Sequence, residues 1–173
     1  MESMKTIDYE AMRKEIRSLV QFSEKRYLTD ISWEITDKPK HATKYDDVFR
    51  PLTEEEWNEV EHKDVNTAYI IVPLTRFGEV TEVVPIGREI SAMNVISKIY
   101  ELYNTPLSKE KIHDISNYPD DSLGYNGDVV KKALNGEVVR YVDLRGAAIS
   151  FEGIQRVSGN VYKLNLGSRI CLF

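Results

Sequence analysis

The order of helix-like and strand-like segments predicts an α+β fold, in which a largely antiparallel mixed sheet packs against several helices and includes a C-terminal β-hairpin. Several short segments repeat apolar residues at helical spacing, whereas others alternate apolar and polar residues. These segments do not follow the regular order of a parallel βαβ fold. Because no break in composition divides the 173 residues, we expect a single α+β domain over residues 1–173.

Composition and charge argue against several classes of protein. Hydrophobic residues make up 42% of the chain, enough to form a core without disulfides or metal ions. The net charge of −5 argues against nonspecific nucleic-acid binding, which requires clustered positive charge. The single cysteine, Cys171, excludes an intrachain disulfide and CxxC-type zinc sites. No apolar run approaches the ~18 residues of a membrane span, so none is expected. Because a single cysteine fits a reducing compartment, we expect an intracellular protein.

The first 50 residues predict a helix, a strand and a loop. Asp8 is positioned to cap a helix over residues 9–25, on which apolar side chains recur every three or four residues. Residues 31–35 alternate apolar and polar side chains and predict a half-buried strand. Residues 37–50 are polar and contain a proline, so we expect a loop there.

A capping box is the strongest local signal in the chain. Thr53 and Glu56 have the spacing at which each side chain accepts a hydrogen bond from the other residue's backbone N–H. Leu52 and Trp57 are placed to form a hydrophobic staple around the same cap. We therefore expect a short helix that ends near Lys63.

Two strands and two helices are predicted in the middle of the chain. Residues 67–74 and 79–86 are strand-like and flank a Phe-Gly turn. Each contains a proline near its end, so each proline is expected at a strand terminus or a sheet edge. Ser91 is expected to cap the next helix, which Pro106 ends, and Ser108 starts another.

The segment before the C-terminal hairpin combines a loop, a helix and a strand. Turn-forming residues dominate residues 117–128, where we expect a long surface loop. Asp128 is expected to cap a short helix that ends at Asn135 and Gly136. A strand over residues 138–144 is expected to follow.

An acid and a glycine interrupt the first arm of the C-terminal hairpin, in the sequence Phe151-Glu152-Gly153. Phe151 and Ile154 lie at opposite parity, so a regular strand would turn one of them away from the core. A β-bulge at Glu152 and Gly153 would bury both and direct Glu152 outward, since glycine readily adopts a positive φ. The turn of this hairpin is predicted at residues 158–160.

No catalytic or metal-binding motif is found in the sequence. The three histidines lack the spacing of metal ligands, and we interpret them as solvated surface residues. Asp120, Asp121 and Asp128 are interpreted as turn makers and caps rather than cation ligands. A nucleophile elbow and a phosphate-binding glycine loop are also missing. We therefore expect no cofactor and no metal, and we favour a non-enzymatic role.

The first functional hypothesis is an intracellular domain that acts through a protein interface. Aromatic side chains in predicted loops are suitable anchors for such an interface. The candidate surfaces are the C-terminal hairpin, the 117–128 loop and the apolar tail over residues 170–173. A protein partner is expected, and a homo-oligomer is kept as an open alternative. The candidate contact residues are Tyr45, Phe49, Tyr118, Tyr125, Glu152 and Phe173.

Two alternatives remain open. An enzyme or small-ligand binder could assemble its site from scattered residues, and a concave pocket with converging charged side chains would indicate it. Single-stranded nucleic-acid binding could use residues 38–50, where basic and aromatic side chains are mixed. Acidic residues in and beside that segment neutralise much of its charge, so nucleic acid is the less favoured partner. The basic residues concerned are Lys38, Lys40, Lys44 and Arg50.

Two C-terminal segments, PIGREISAMNVISKIYELYNTPLSKEKI and RYVDLRGAAISFEGIQRVSGNVYKLNLGS, resemble an uncharacterised protein family of large (nucleocytoplasmic) DNA viruses. The matching motifs are residues 103–107, 143–146, 151–153 and 166–168. The resemblance covers roughly the C-terminal half. It implies a viral origin and a location in the host cytoplasm or the virion, and it implies no activity.

Overall fold

The computed structural model describes residues 25–75, 80–116 and 126–168 of the chain. The predicted N-terminal helix, the Phe-Gly turn, most of the 117–128 loop and the apolar tail lie outside these residues. The strands and helices given below lie within these three ranges.

The α+β fold is confirmed, and its strands form two sheets. The first sheet has five strands in the order β1-β7-β8-β5-β6, and the second has three in the order β2-β3-β4. The strands are β1 Arg26–Tyr27, β2 Ile31–Ser32, β3 Thr43–Asp46, β4 Val48–Pro51, β5 His62–Pro73, β6 Thr81–Ile90, β7 Ser150–Ser158 and β8 Val161–Gly167.

The helices of the described residues follow the second sheet along the chain. Short 3-10 helices at Pro39–His41 and Tyr141–Arg145 accompany them. The α-helices are α1 Glu54–Asn58, α2 Ala92–Tyr103, α3 Lys109–Ser116 and α4 Asn126–Leu134.

The five-stranded sheet is mixed, as predicted. Strand β5 pairs with β8 in parallel, and the other strand pairs of the two sheets are antiparallel. Pro73 is the last residue of β5, and Pro85 lies on β6, an edge strand. Both prolines therefore occupy positions where a missing N–H donor is tolerated.

Helix α2 packs against β6 and supplies much of the main core. The Ser91 hydroxyl caps it by accepting from the Asn94 N–H at 3.2 Å, as predicted. Val95, Ile96 and Ile99 recur at helical spacing and are fully buried. A smaller cluster forms where α3 and α4 meet the second 3-10 helix, through Ile115, Val130 and Leu144.

The predicted capping box at the start of α1 is confirmed. The Glu56 N–H donates to the Thr53 hydroxyl at 3.2 Å, and the Thr53 N–H donates to Glu56 Oε1 at 3.0 Å. The helix ends at Asn58 rather than near Lys63, because Lys63 belongs to β5 and pairs with Glu89 of β6. Tertiary strand pairing therefore shortens the helix that the local sequence favours.

Three further predictions differ from the structure. Residues 43–51, expected within or beside a loop, form the β3–β4 hairpin, which turns at Asp47 with φ of +60°. Asp tolerates this left-handed conformation better than most residues, which supports a tight turn. The expected strand over residues 138–144 is instead largely the second 3-10 helix, because the Asp143 carboxylate accepts from the Arg140 N–H at 2.9 Å. Asp128 lies in the first turn of α4 and not at its cap.

The predicted bulge in the C-terminal hairpin is confirmed. The register of β7 against β8 shifts between Phe151 and Ile154, and Gly153 has φ of +86°. Phe151 and Ile154 are both buried, whereas Glu152 is exposed. The bulge also brings the Gly153 backbone close to β1, where Tyr27 pairs with Ile154.

Candidate functional site

The β3–β4 hairpin exposes an unusual amount of apolar side chain. Tyr45 is 61% exposed, Val48 66% and Phe49 65%. Tyr45 and Phe49 are direct cross-strand partners, with ring centroids 5.1 Å apart. Because cross-strand partners point to the same side of the pleat, both rings lie on one face of the hairpin. We call this the aromatic face.

The opposite face of the hairpin is held by charge pairs to Glu56 at the start of α1 and to Asp30 before β2. Arg50 makes two bonds to Glu56, Nη1–Oε1 at 2.6 Å and Nη2–Oε2 at 3.0 Å. Lys44 Nζ lies 3.0 Å from Asp30 Oδ2 and 3.3 Å from Glu56 Oε2. A two-pronged arginine–carboxylate pair restricts orientation as well as distance, so the hairpin is held in place at its base.

The environment of Glu56 affects its protonation. Hydrogen bonds from Arg50, then from the Thr53 N–H, hold the pKa of the Glu56 carboxyl well below its ordinary value of 4.5. A carboxyl whose pKa is lowered in the folded state stabilises the fold above its ordinary pKa and loses that contribution as the pH falls. The attachment of the hairpin should therefore weaken in acid.

Glu56→Gln tests this acid dependence. We expect the variant to be less stable than the wild type at pH 6, and the difference to shrink as the pH falls from 4.5 towards 2. Urea denaturation at a series of pH values measures it. Glu55→Gln, at an exposed position of the same helix turn, is the matched control and should show no comparable trend. A constant difference between wild type and Glu56→Gln at every pH would contradict the prediction.

A polar cleft of about 340 Å³ lies where the two sheets meet. The Phe151 N–H donates to the Trp33 carbonyl at 2.8 Å, and the Ile35 N–H donates to the Ile149 carbonyl at 3.0 Å. These two bonds place Glu34 opposite Ser150 across the junction. The polar residues that line the cleft are Ser32, Glu34, Asp37, His41, Thr43 and Ser150.

Two aromatic residues and a turn complete the cleft. Trp33 and Phe151 also line it and meet edge to face, with centroids 5.9 Å apart. The Trp33 indole N–H donates to the Asp37 carbonyl at 3.1 Å, and the Asp37 N–H donates to the Glu34 carbonyl at 2.8 Å. The two acidic residues of the cleft, Glu34 and Asp37, therefore belong to one hydrogen-bonded turn, which the Trp33 side chain also joins.

A third polar cluster surrounds the buried carboxylate of Asp64, which is 7% exposed. The Tyr162 hydroxyl donates to Asp64 Oδ2 at 2.8 Å, and His62 Nε2 lies 3.1 Å from Asp64 Oδ1. The ring of Tyr27 packs against those of His62 and Tyr162. Burial, and next the bond to Asp64, raise the pKa of the Tyr162 hydroxyl above its ordinary 10.0. His62 is thus half-buried, packed against Tyr27 and paired with Asp64, which corrects the prediction of a solvated surface histidine.

A strained residue lies beside this cluster. Leu28 is buried and has φ of +60°, a conformation that branched side chains rarely adopt. Its N–H donates to Glu61 Oε2 at 3.2 Å. Burial raises the pKa of the Glu61 carboxyl. The loop after β1 is therefore held by the segment that leads into β5.

The structure separates the residues that the sequence suggested for function. Tyr45 and Phe49 lie together on the aromatic face, and Glu152 is exposed on β7, where its carboxylate lies over Gly167 of β8. Lys44 and Arg50 are paired with carboxylates at the base of the hairpin, whereas Lys38 and Lys40 are exposed beside the first 3-10 helix. Tyr118, Tyr125, Phe173 and Cys171 lie outside the described residues.

Sequence reasoning missed the cleft and the Asp64 cluster. His62 and Asp64 are two residues apart, a spacing that places both side chains on one face of a strand. That signal was hidden because the preceding helix was expected to continue to Lys63. The pairing of Glu34 with Ser150 has no local signal, since more than a hundred residues separate the two positions.

The described part of the chain contains neither a metal-binding group of side chains nor a helix that could span a membrane. Among residues 25–75, 80–116 and 126–168, no three His, Cys, Asp or Glu side chains are grouped so as to hold a metal ion. Within the same ranges, no helix has the length and apolar character needed to span a membrane.

The chain is thus an α+β domain with an exposed aromatic hairpin beside a polar cleft. Comparison with protein-family models, curated proteins and solved structures found no match. The resemblance to a viral protein family stays a prediction.

Proposed function

We propose that this chain is a protein-interaction domain that binds its partner through the aromatic face of the β3–β4 hairpin. The observation that carries the proposal is the pair of solvent-exposed rings of Tyr45 and Phe49, which contact each other at an interplanar angle of 59°. Large aromatic side chains grouped on a surface are frequent anchors of protein interfaces, because they bury much apolar area at low cost in side-chain entropy. The charge pairs at the hairpin base favour binding further, since they order the surface beforehand.

The charges around the aromatic face favour a basic partner segment. Asp47 is exposed at the turn of the hairpin, and Asp46, 71% exposed beside it, lies on the opposite face with its carboxylate 3.8 Å from Arg50 Nε. The nearby cations Lys44 and Arg50 are already paired with carboxylates. A partner with lysine or arginine next to apolar residues would meet the acidic tip and could place a cation over an aromatic ring. We expect this partner to be an intracellular protein, as the single cysteine favours a reducing compartment.

The same contacts weigh against nucleic-acid binding through residues 38–50. Phosphate groups would compete with Glu56 and Asp30 for Arg50 and Lys44, and they would be repelled by the acidic tip. The polar cleft is the observation that favours a small-ligand function as the second candidate.

A peptide-library selection on the purified chain tests the proposal. We expect enrichment of basic, apolar-containing peptides, and we expect Tyr45→Ser/Phe49→Ser to bind them at least tenfold more weakly by fluorescence polarisation. That factor matches the loss of about 1.4 kcal/mol, within the range of an interface anchor. Val65→Ser, at an 85% exposed position of β5, is the matched control and should bind as the wild type does.

Three outcomes would overturn this proposal. Peptides could bind the double variant as tightly as the wild type. The selection could enrich acidic peptides. Light scattering could show that the aromatic face is covered by a second copy of the chain, with the double variant becoming monomeric.

A further inference from the structure

We infer that residues 9–24 dock as a helix on the outer face of the five-stranded sheet, where they cover an apolar patch on β5, β6 and β8. This contact is separate from the aromatic face and does not depend on the proposed function. The sequence predicts a helix over residues 9–25, and all of it except Lys25 lies outside the described residues. The described structure supplies the face, and the sequence supplies its occupant.

The sheet buries one face and presents apolar side chains on the other. On the buried face Ile70 of β5 pairs with Val84 of β6 and with Tyr162 of β8, and all three contribute to the main core. Their neighbours along the strands point the opposite way, because side chains alternate along a strand. We call the apolar residues that point outward the outer patch: Tyr69, Ile71, Val83, Pro85 and Val161.

The outer patch is contiguous and accessible. Tyr69 pairs with Pro85 on one side and with Val161 on the other, and Ile71 pairs with Val83 in the next row. Val83 is 56% exposed and Tyr69 38%. Helix α2 packs against β6 through the core, on the other side of the sheet. Exposed apolar side chains that adjoin one another in this way mark a contact surface.

The N-terminal segment joins the sheet in line with the outer patch. Strand β1 lies at one edge of the sheet and β6 at the other, and residues 9–24 precede β1. One row of cross-strand partners leads from the first residue of β1 to the patch: Arg26, Gln155, Lys163, Ile71 and Val83. The segment therefore starts at one end of a row whose other end belongs to the patch.

The segment is long enough to cross the sheet. Adjacent strands lie about 4.8 Å apart, so the four spacings from β1 to β6 span about 19 Å. At about 1.5 Å per residue, a helix over residues 9–24 is about 24 Å long. A helix that crosses the strands from the β1 edge therefore reaches β6 without additional chain.

Polar and apolar residues follow the same order in the segment and on the face. The outward residues of β1 and β7, Arg26 and Gln155, are polar, and apolar residues begin at β8 with Val161. Residues 23–25 are also polar, and the apolar stripe of the predicted helix begins at Val20, about 8 Å from Lys25 along a helix. The distance from β1 to β8 is about 10 Å. The stripe consists of Tyr9, Met12, Ile16, Leu19 and Val20.

The covalent link to β1 favours this occupant over a second copy of the chain. A tethered segment meets the face at an effective concentration in the millimolar range. A separate chain would lose translational and rotational freedom on binding, which opposes its association. Docking within one chain should therefore be independent of protein concentration.

The reactivity of a thiol in the outer patch tests the docking in the full chain. Val83→Cys is combined with Cys171→Ser, so that one thiol is present. We expect Ile16→Asp/Leu19→Asp to raise the rate of its alkylation by iodoacetamide at least fivefold, because buried charges oppose docking. A fivefold change corresponds to docking in about 80% of molecules. Val65→Cys, at an 85% exposed position of β5, is the control thiol, and its rate should stay unchanged.

A matched charge control separates the apolar stripe from the rest of the segment. Ser18→Asp/Gln21→Asp adds the same two charges at the same spacing on the opposite side of the predicted helix and should leave Val83→Cys protected. The NMR spectrum of each variant without reagent shows whether the sheet is folded. Should the aspartates at positions 16 and 19 unfold the chain, Ile16→Ala/Leu19→Ala keeps a high helix propensity and should raise the rate at least twofold.

Protection that is lost only with the stripe substitutions, at every protein concentration, would support the inference. Three outcomes would overturn it. Val83→Cys could react at the same rate with and without the stripe substitutions. Its protection could increase with protein concentration, which would show that a second copy covers the face. Val65→Cys could gain reactivity as much as Val83→Cys, which would show a general opening of the sheet.

Discussion

Gly153→Ala is expected to lower the free energy of unfolding by about 3 kcal/mol. Two energetic costs add at this position, an unfavourable backbone conformation and a steric clash. Gly153 has φ of +86°, where a residue with a side chain loses about 1–2 kcal/mol. A Cβ atom would also lie 2.6 Å from the Tyr27 carbonyl oxygen and 3.0 Å from Thr29 Cγ2. Since the first of these contacts is backbone, β1 would have to move away from β7.

Gly136→Ala is a matched control for this prediction. Gly136 has the same φ of +86°, and a Cβ atom there would meet nothing within 4 Å. It should therefore show the conformational cost alone, about 1–2 kcal/mol. Chemical denaturation of both variants measures the difference, and hydrogen exchange at Tyr27 should increase only in Gly153→Ala. Equal losses of stability in the two variants would show that the close approach of β1 and β7 has no energetic consequence.

Asp64→Ala is expected to have a similar effect, a loss of about 3 kcal/mol. The substitution removes the acceptor of the buried Tyr162 hydroxyl and the hydrogen-bond partner of His62. Burial of a polar group without a partner costs about 1–3 kcal/mol, and two groups lose their partner here. The loss should appear as a lower denaturation midpoint with an unchanged slope.

A double-mutant cycle with Tyr162→Phe separates the contributions. Tyr162→Phe alone should cost about 1 kcal/mol, because Asp64 keeps its contact with His62. Asp64→Ala should then cost less in the Tyr162→Phe background than in the wild type, since no hydroxyl is left unpaired. Asp46→Ala, at a 71% exposed position, controls for loss of a carboxylate and should change stability by less than about 0.5 kcal/mol. Additive effects of the two substitutions would contradict a coupled network.

Both predictions concern contacts between distant parts of the chain, yet only one was visible in the sequence. The change of parity between Phe151 and Ile154, with a glycine between them, predicted the bulge because side-chain direction in a strand follows residue number. The sequence could not indicate that the bulge lies against β1, because β1 and β7 are more than a hundred residues apart in the chain.

The candidate functional residues show the same division between what the sequence indicated and what the structure added. Tyr45 and Phe49 were predicted as exposed contact residues because they are aromatic and lie in a predicted loop, and the structure shows instead that they form one cross-strand pair of a hairpin. Lys44 and Arg50 looked available for nucleic acid because their partners, Asp30 and Glu56, lie outside the segment over residues 38–50. Charge pairs between separate elements depend on where the chain folds back, which residue spacing does not encode.

The sequence by itself determined the features that depend on neighbours along the chain. The caps at Thr53 and Ser91, the apolar stripe of α2 and the bulge at Gly153 all follow from spacing over a few residues. These elements, in their irregular order, also determined the α+β class. Local hydrogen bonds and side-chain periodicity act over short distances, so local sequence is sufficient for them.

Only the tertiary structure decided where the elements meet. Parallel pairing of β5 with β8 brings Asp64 to Tyr162, and the junction of the two sheets brings Glu34 to Ser150. Tertiary pairing also shortened α1 and drew residues 43–51 into a hairpin. The physical reason is that long-range pairing depends on burying apolar surface shared by many elements at once, so no single segment specifies its partner.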